Sequence, residues 1–112
     1  MADDLCSLDL LNACIPVFET LKDEHRQRIL VQLVENGPLC VGDIAETSTL
    51  SRPAVSHHLK LLQHSGLVSA TKSGTQRYYR AEVTDGLRLL RRLLESLEAD
   101  LAAGAGEVPH SD

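Results

Sequence analysis

Residues 40–68 read CVGDIAETSTLSRPAVSHHLKLLQHSGLV and hold two short helical patterns joined by a tight polar turn. Gly42 to Thr47 is the first pattern, with Ile44 and Ala45 facing inward. Ser48-Thr49-Leu50 is the turn. Ser51 opens the second pattern as an N-cap, its hydroxyl placed to accept from a backbone N–H that has no partner inside the helix. Pro53 falls in the first turn, where a missing N–H costs nothing. Val55, Leu59 and Leu62 then recur at i, i+4 and i+7, one face of a helix, and Gly66 stops it. Arg52, Ser56, Lys60 and Gln63 lie on the opposite side, which carries no large apolar residue. This is the pattern of a helix-turn-helix whose second helix enters a DNA groove.

Working outward, Asp23 to Glu35 predicts a helix capped by Asp23, with Ile29, Leu30, Leu33 and Val34 as its buried stripe and Asn36-Gly37-Pro38 as its end. Before it, Leu5, Leu8, Leu11, Ile15, Phe18 and Leu21 mark a helical face from Asp3 to Leu21. Pro16 interrupts that face, which predicts either a kink or two short helices. Leu39-Cys40-Val41 reads as an extended link. Leu67 to Thr71 and Gln76 to Ala81 read as two strands, with Ser73-Gly74-Thr75 as their hairpin turn. From Asp85 to Leu101, Leu87, Leu90, Leu94, Leu97 and Leu101 step by three and four. Such a narrow leucine seam suits packing against another helix, and a small chain has few of its own to offer. Leu8, Leu11, Leu87, Leu90, Leu94 and Leu97 are therefore the expected dimer contacts, the alternative being packing within one protomer. The expected architecture is mainly α with a small β-hairpin: a winged helix-turn-helix homodimer over residues 1–102, with a disordered tail at 103–112.

The chain has 112 residues, enough for one domain with a modest core. No apolar run reaches the roughly eighteen residues of a membrane span, and the acidic start MADDLCSLDLL lacks the basic region of a signal peptide. Three cysteines without close pairing fit a reducing compartment, so a cytoplasmic location is expected. The net charge of −5 argues against simple sequence-independent attraction to phosphate. The distribution answers that objection. Between Ser51 and Ala81 there is no Asp or Glu, while Arg52, Lys60, Lys72, Arg77, Arg80 and three histidines (His57, His58, His64) are present. An acid-free basic stretch inside an acidic chain is a directional electrostatic footprint for nucleic acid.

The stretch from Leu39 to Val68, followed by GTQRYYR at residues 74–80 and preceded by LKDEHRQRILVQL at 21–33, resembles the ArsR/SmtB family of bacterial metal- and metalloid-responsive repressors. The resemblance runs from about Phe18 to Arg80. It rests on the CVGD element, the AVSHHL helix, the HSGLV exit and the RYYR strand standing in one register. It implies a homodimer on pseudo-palindromic double-stranded operator DNA, released by an inducer. There are two departures. Thr49 holds a turn position that the family usually gives to glycine, and a β-branched residue with positive φ is costly. The second helix begins Asp23-Glu24-His25-Arg26, without the family's proline.

Arg52, Ser56, His57, Lys60 and Gln63 supply the donors and acceptors that base edges and phosphates require. Ser56 and His57 match the family's Ser-His pair. Lys72, Thr75, Gln76 and Arg77 on the wing suit phosphate or minor-groove contact, which positions rather than specifies.

Cys40 and Asp43 stand three apart, on one side of a helical turn. The resemblance implies that a CVGD element gives two metal ligands and that the other subunit's N-terminal region gives the rest; here Cys6 and Cys14 are the cysteines available there. The vicinal cysteine of arsenical sensors is Gly42 here. The family's second site, on the last helix, falls on Val83, Asp85, Ser96 and Ala99 and is lost. Cys6, Cys14, Cys40 and Asp43 remain as candidate ligands. Three soft thiolates suit As(III), Sb(III), Cd(II) or Pb(II) as a bound inducer, while the fold itself requires no ion. Free cysteines also serve as small buried hydrophobes, and oxidation of Cys40 with Cys6 or Cys14 is a further possible input. A winged-helix protein–protein module is the competing class. It calls for exposed apolar residues on the Arg52–Lys60 face, which has none. No nucleophile–base pair, phosphate loop or complete catalytic metal motif is visible, so the chain is not expected to be an enzyme.

Overall fold

The structure is a computed structural model that describes residues 5–104. The elements are α1 (Ser7–Leu21), α2 (Glu24–Asn36), β1 (Leu39–Cys40), α3 (Val41–Glu46), α4 (Arg52–His64), β2 (Val68–Ser73), β3 (Gln76–Ala81) and α5 (Thr84–Gly104). This is a winged helix-turn-helix, mainly α with a small antiparallel sheet, as the pattern predicts.

Local chemistry sets most boundaries. Asp23 caps α2 by accepting from the Arg26 N–H at 3.0 Å. Gly37 ends α2 at φ 78°, donating to the Leu33 carbonyl. Ser51 caps α4 by accepting from the Ala54 N–H at 3.3 Å. At the far end of α4, Gly66 (φ 81°) lets Leu67 N–H return to the Leu62 carbonyl and Gly66 N–H to that of Gln63. This pair of bonds satisfies carbonyls that the helix would otherwise leave open.

Val55, Leu59 and Leu62 of α4 are fully buried with Leu33 of α2 and Ile44 of α3. Val17, Ile29, Leu67, Val68 and Tyr79 complete this main core. Burying each such side chain stabilises the fold by about 1.5–3 kcal/mol. α4 is thereby fixed from behind, and its polar side is left to solvent.

The sheet differs from a plain hairpin. β1, only two residues long, pairs with β3, giving the antiparallel order β1-β3-β2. Two residues are too few to show alternation, so the sequence reads only as an extended link. β2 also extends to Ser73, two residues beyond the predicted end. The loop is then Gly74-Thr75 alone. Positive φ at Gly74 (66°) and not at Thr75 is the sign pattern of a type II′ hairpin turn.

The first helix needs a larger correction. It is one element through Pro16, not two. Its inward residues are Leu10, Cys14 and Val17, whereas Leu5, Leu8, Leu11, Ile15 and Phe18, which the spacing turns inward, are exposed, Leu8 at 65%. Asp9, Asn12, Pro16 and Glu19 form a narrow polar stripe, and the apolar face opposite is wide enough to be split between a buried strip (Leu10, Cys14, Val17) and an exposed one (Leu8, Leu11, Ile15, Phe18). Val34 of the predicted α2 stripe is likewise 58% exposed. On α5, Leu93 is the buried leucine, packing with Leu10 and Cys14 in a second small cluster that also touches Leu89 and Leu90. Leu87, Leu94, Leu97 and Leu101 of the predicted seam are exposed. α5 runs to Gly104, so residues 103 and 104 are helical; the rest of the predicted tail lies outside the described residues. Among the described residues no helix is long and apolar enough to cross a membrane.

Candidate nucleic-acid interface

The turn between α3 and α4 brings Arg52 to the start of the exposed helix face. Leu50 N–H donates to the Ser48 hydroxyl at 2.9 Å, which closes the turn locally. No described residue other than glycine has positive φ, so Thr49 is accommodated without the left-handed conformation that a glycine would supply. On α4, Arg52, His57, Lys60 and Gln63 are exposed and Ser56 is half-buried.

The wing adds Lys72, Thr75, Gln76 and Arg77, all exposed. Lys72 and Arg77 are direct cross-strand partners. Like charges in that relation repel, and an anion between or beside them would relieve the repulsion. Ion pairs among the described residues join Lys22 to Glu19, Arg28 to Glu24 and Arg88 to Asp85, and leave the cations of α4 and the wing out.

One neighbour of this face is not evident from the sequence. The Arg52 guanidinium lies against the α3 backbone at Gly42: a Cβ built there would stand 3.1 Å from Nη2. The first residue of α4 and the CVGD turn are in contact.

The three cysteines are free thiols in three different settings. Cys6 is exposed, and its thiol donates to the Asp9 carboxylate at 3.2 Å. Cys14 is 0% exposed and packs against Leu10 and Leu93; burial pushes its thiol pKa up, so it stays protonated. Cys40 is half-buried and forms a capping box with Asp43. The Cys40 N–H donates to Asp43 Oδ2 at 3.3 Å, and the Cys40 sulfur accepts from the Asp43 N–H. Among the described residues no three His, Cys, Asp or Glu side chains are grouped to hold a metal ion.

Cys40 is also the cross-strand partner of Tyr78, which pairs with Thr71 on its other side. Opposed residues share a sheet face. That face carries a groove of about 240 Å³ lined by Pro38, Thr71, Ser73, Tyr78 and Arg80. Tyr78 becomes a neighbour of the thiol only through the β1–β3 pairing, which the sequence does not reveal.

His58, on the flank of α4, accepts at Nδ1 from Arg26 of α2 at 3.2 Å. The two residues are 32 positions apart, and nothing in their spacing joins them.

Residues 23–70 match the family model described as "Bacterial regulatory protein, arsR family". The chain is 37% identical over 95 residues to the HTH-type transcriptional regulator Rv2034 of Mycobacterium tuberculosis, covering 85% of this chain and 87% of that protein. It is 42% identical over 66 residues to the arsenical resistance operon repressor of Escherichia coli, covering 59% of this chain and 56% of that protein. The fold matches the homodimeric winged helix-turn-helix DNA-binding domain of Mb0332 from Mycobacterium bovis with a TM-score of 0.64 at 30% identity, over 98% of this chain and 100% of that one.

Proposed function

The chain belongs to the arsR family of bacterial regulatory proteins, a family of DNA-binding transcriptional regulators rather than enzymes, and on that footing we propose a homodimeric, cytoplasmic repressor released from operator DNA by a thiol-directed inducer. The observation that carries the DNA half is the exposed set Arg52, His57, Lys60, Gln63, Lys72 and Arg77 on α4 and the wing, free of acidic neighbours in sequence. Arg52, Ser56, His57, Lys60 and Gln63 read base edges, while Lys72, Thr75 and Arg77 hold the backbone. In the dimer, two recognition helices occupy successive major grooves roughly 34–36 Å apart.

The exposed residues Leu8 and Leu11 of α1 and Leu87, Leu94 and Leu97 of α5 form the dimer contact. Leu90 already packs within its own protomer and contributes less. Large apolar patches on a small protein mark such contacts. The homodimeric state of the Mycobacterium bovis neighbour supports this reading.

The inducer is a soft ion, As(III), Sb(III), Cd(II) or Pb(II), taken by Cys40 and Asp43 of one protomer with Cys6 from the other. Cys14 is the weakest of the candidate ligands, because its thiol is fully buried against Leu10 and Leu93. The name of the Escherichia coli relative supports arsenicals as the class. Ligation at Cys40 and Asp43 would replace both capping bonds at the start of α3. The next residue but one, Gly42, is the bed of Arg52. This gives the two sites a short physical path, with coupling of about 1–3 kcal/mol typical of such linkage.

A second reading keeps the fold and replaces the ion by an oxidant. Cys6 and Cys40 are the two thiols not fully buried, and a disulfide between them needs only two sulfurs and a two-electron oxidant such as a peroxide. Titration of DNA-bound protein with arsenite or with peroxide separates the readings, since the ion acts without loss of titratable thiol on later chelation and the oxidant does not.

A further inference from the structure

We infer that Arg26 and His58 are positioning residues for operator binding: the Arg26 guanidinium ties recognition helix α4 to the end of α1, with His58 as the acceptor. Arg26 makes three contacts. Its Nε donates to the Thr20 carbonyl, in the last turn of α1, at 2.8 Å. Its backbone N–H donates to the Asp23 cap at 3.0 Å. Its Nη1 lies 3.2 Å from His58 Nδ1. Arginine has no acceptor, so Nδ1 must accept and the ring carries its proton on Nε2. One planar, half-buried side chain thus spans α1, α2 and α4. It uses a carbonyl that the end of α1 would leave without a helical partner.

The tie holds α4 at a defined angle, and that decides which DNA interactions depend on it. Phosphate attraction is sequence-independent and tolerates small rotations. Contacts with base edges do not. Loss of the tie therefore lowers the preference for a specific site over random DNA and leaves random-DNA affinity nearly unchanged.

The tie also answers to protons. His58 faces Asp23, Arg26 and His25 of α2 and His57 of its own helix, with ring centroids 5.7 Å from His25 and 5.9 Å from His57. A proton on His58 removes the acceptor and sets a second cation against the guanidinium. Burial first, then Arg26, His25 and His57, disfavour that proton, and Asp23 opposes them. The tie is made at neutral pH and opens below the ordinary histidine range.

The test uses the full chain and two fluorescent duplexes: one selected by the wild-type protein from a random pool, and its scrambled counterpart. The readout is the ratio of their affinities at constant salt. His58→Asn keeps an acceptor near the Nδ1 position and cannot titrate. His58→Leu and Arg26→Met remove one partner each, and thermal melts establish that each variant is folded. At about pH 7.5, His58→Asn should keep the wild-type ratio, while His58→Leu and Arg26→Met should lose about five- to tenfold, the worth of one ordinary hydrogen bond. Between about pH 7.5 and 4.5 the wild-type ratio should fall relative to that of His58→Asn, the fall coming below the ordinary histidine value. Folded His58→Leu and Arg26→Met with the wild-type ratio would overturn the proposal. So would His58→Asn following the wild-type pH curve, a comparison that stands even if the other two variants do not fold.

Discussion

Arg52 rests on Gly42, so closely that a Cβ at position 42 would meet its Nη2 at 3.1 Å and its Cζ at 3.4 Å. The first residue of the recognition helix is seated on the turn that carries Cys40 and Asp43. Position 42 is also where the family's arsenical sensors place a second cysteine. In this chain glycine makes room for an exposed guanidinium instead of adding a thiol.

Gly42→Ala should therefore act on DNA binding more than on folding. The neighbour is the flexible end of a side chain, so it moves by a few tenths of an ångström rather than forcing the backbone. Operator affinity is expected to fall by up to about tenfold, part of the worth of one base contact, with little change in melting temperature. Fluorescence anisotropy and a thermal melt check the two halves separately.

The wing cations should behave as phosphate anchors. Lys72→Gln and Arg77→Gln are each expected to weaken specific and random duplexes alike, and to reduce the slope of log K against log salt by about one. Arg52→Gln or Lys60→Gln should instead change which sequences are preferred. Salt titrations on two duplexes distinguish these outcomes.

Cys14 fills space between α1 and α5. Cys14→Ser puts a hydroxyl among Leu10 and Leu93 and should cost about 1–3 kcal/mol in urea unfolding. The inducer response should be retained. A variant of unchanged stability that no longer responds would show Cys14 acting as a ligand.

Acid should weaken the fold in two stages. His58 has its folded pKa lowered, chiefly by burial, so its unfolded form binds the proton more readily. The stability it contributes is full above the ordinary histidine value and is lost as pH falls through the lowered one. Asp23, lowered chiefly by the Arg26 N–H, has the same sign at more acidic pH: stability present above the ordinary carboxylate value and lost below its depressed one. Urea midpoints from pH 8 to 3 should show both steps, and His58→Asn should remove the first.

The helix-turn-helix was legible because its punctuation is local: Ser51, Pro53 and Gly66 each act on backbone within a few residues. The burial of Val55, Leu59 and Leu62 followed from one period on a helix with a clear polar side. In α1 the apolar face is about half the helix wide, so spacing alone does not choose between the Leu10–Cys14–Val17 strip and the Leu8–Leu11–Ile15 strip. β1 stayed hidden because two residues show no alternation; with it went the place of Cys40 beside Tyr78. The contacts of Arg52 with Gly42 and of Arg26 with His58 join separate elements, and only the packed fold brings them together.

The most direct test of the central claim is release of the selected operator duplex by arsenite, followed by anisotropy for the wild-type protein and for Cys40→Ser. The account predicts salt-sensitive binding by both proteins, with arsenite releasing the wild type and leaving Cys40→Ser bound. Release of Cys40→Ser at the same arsenite concentration as the wild type would contradict it.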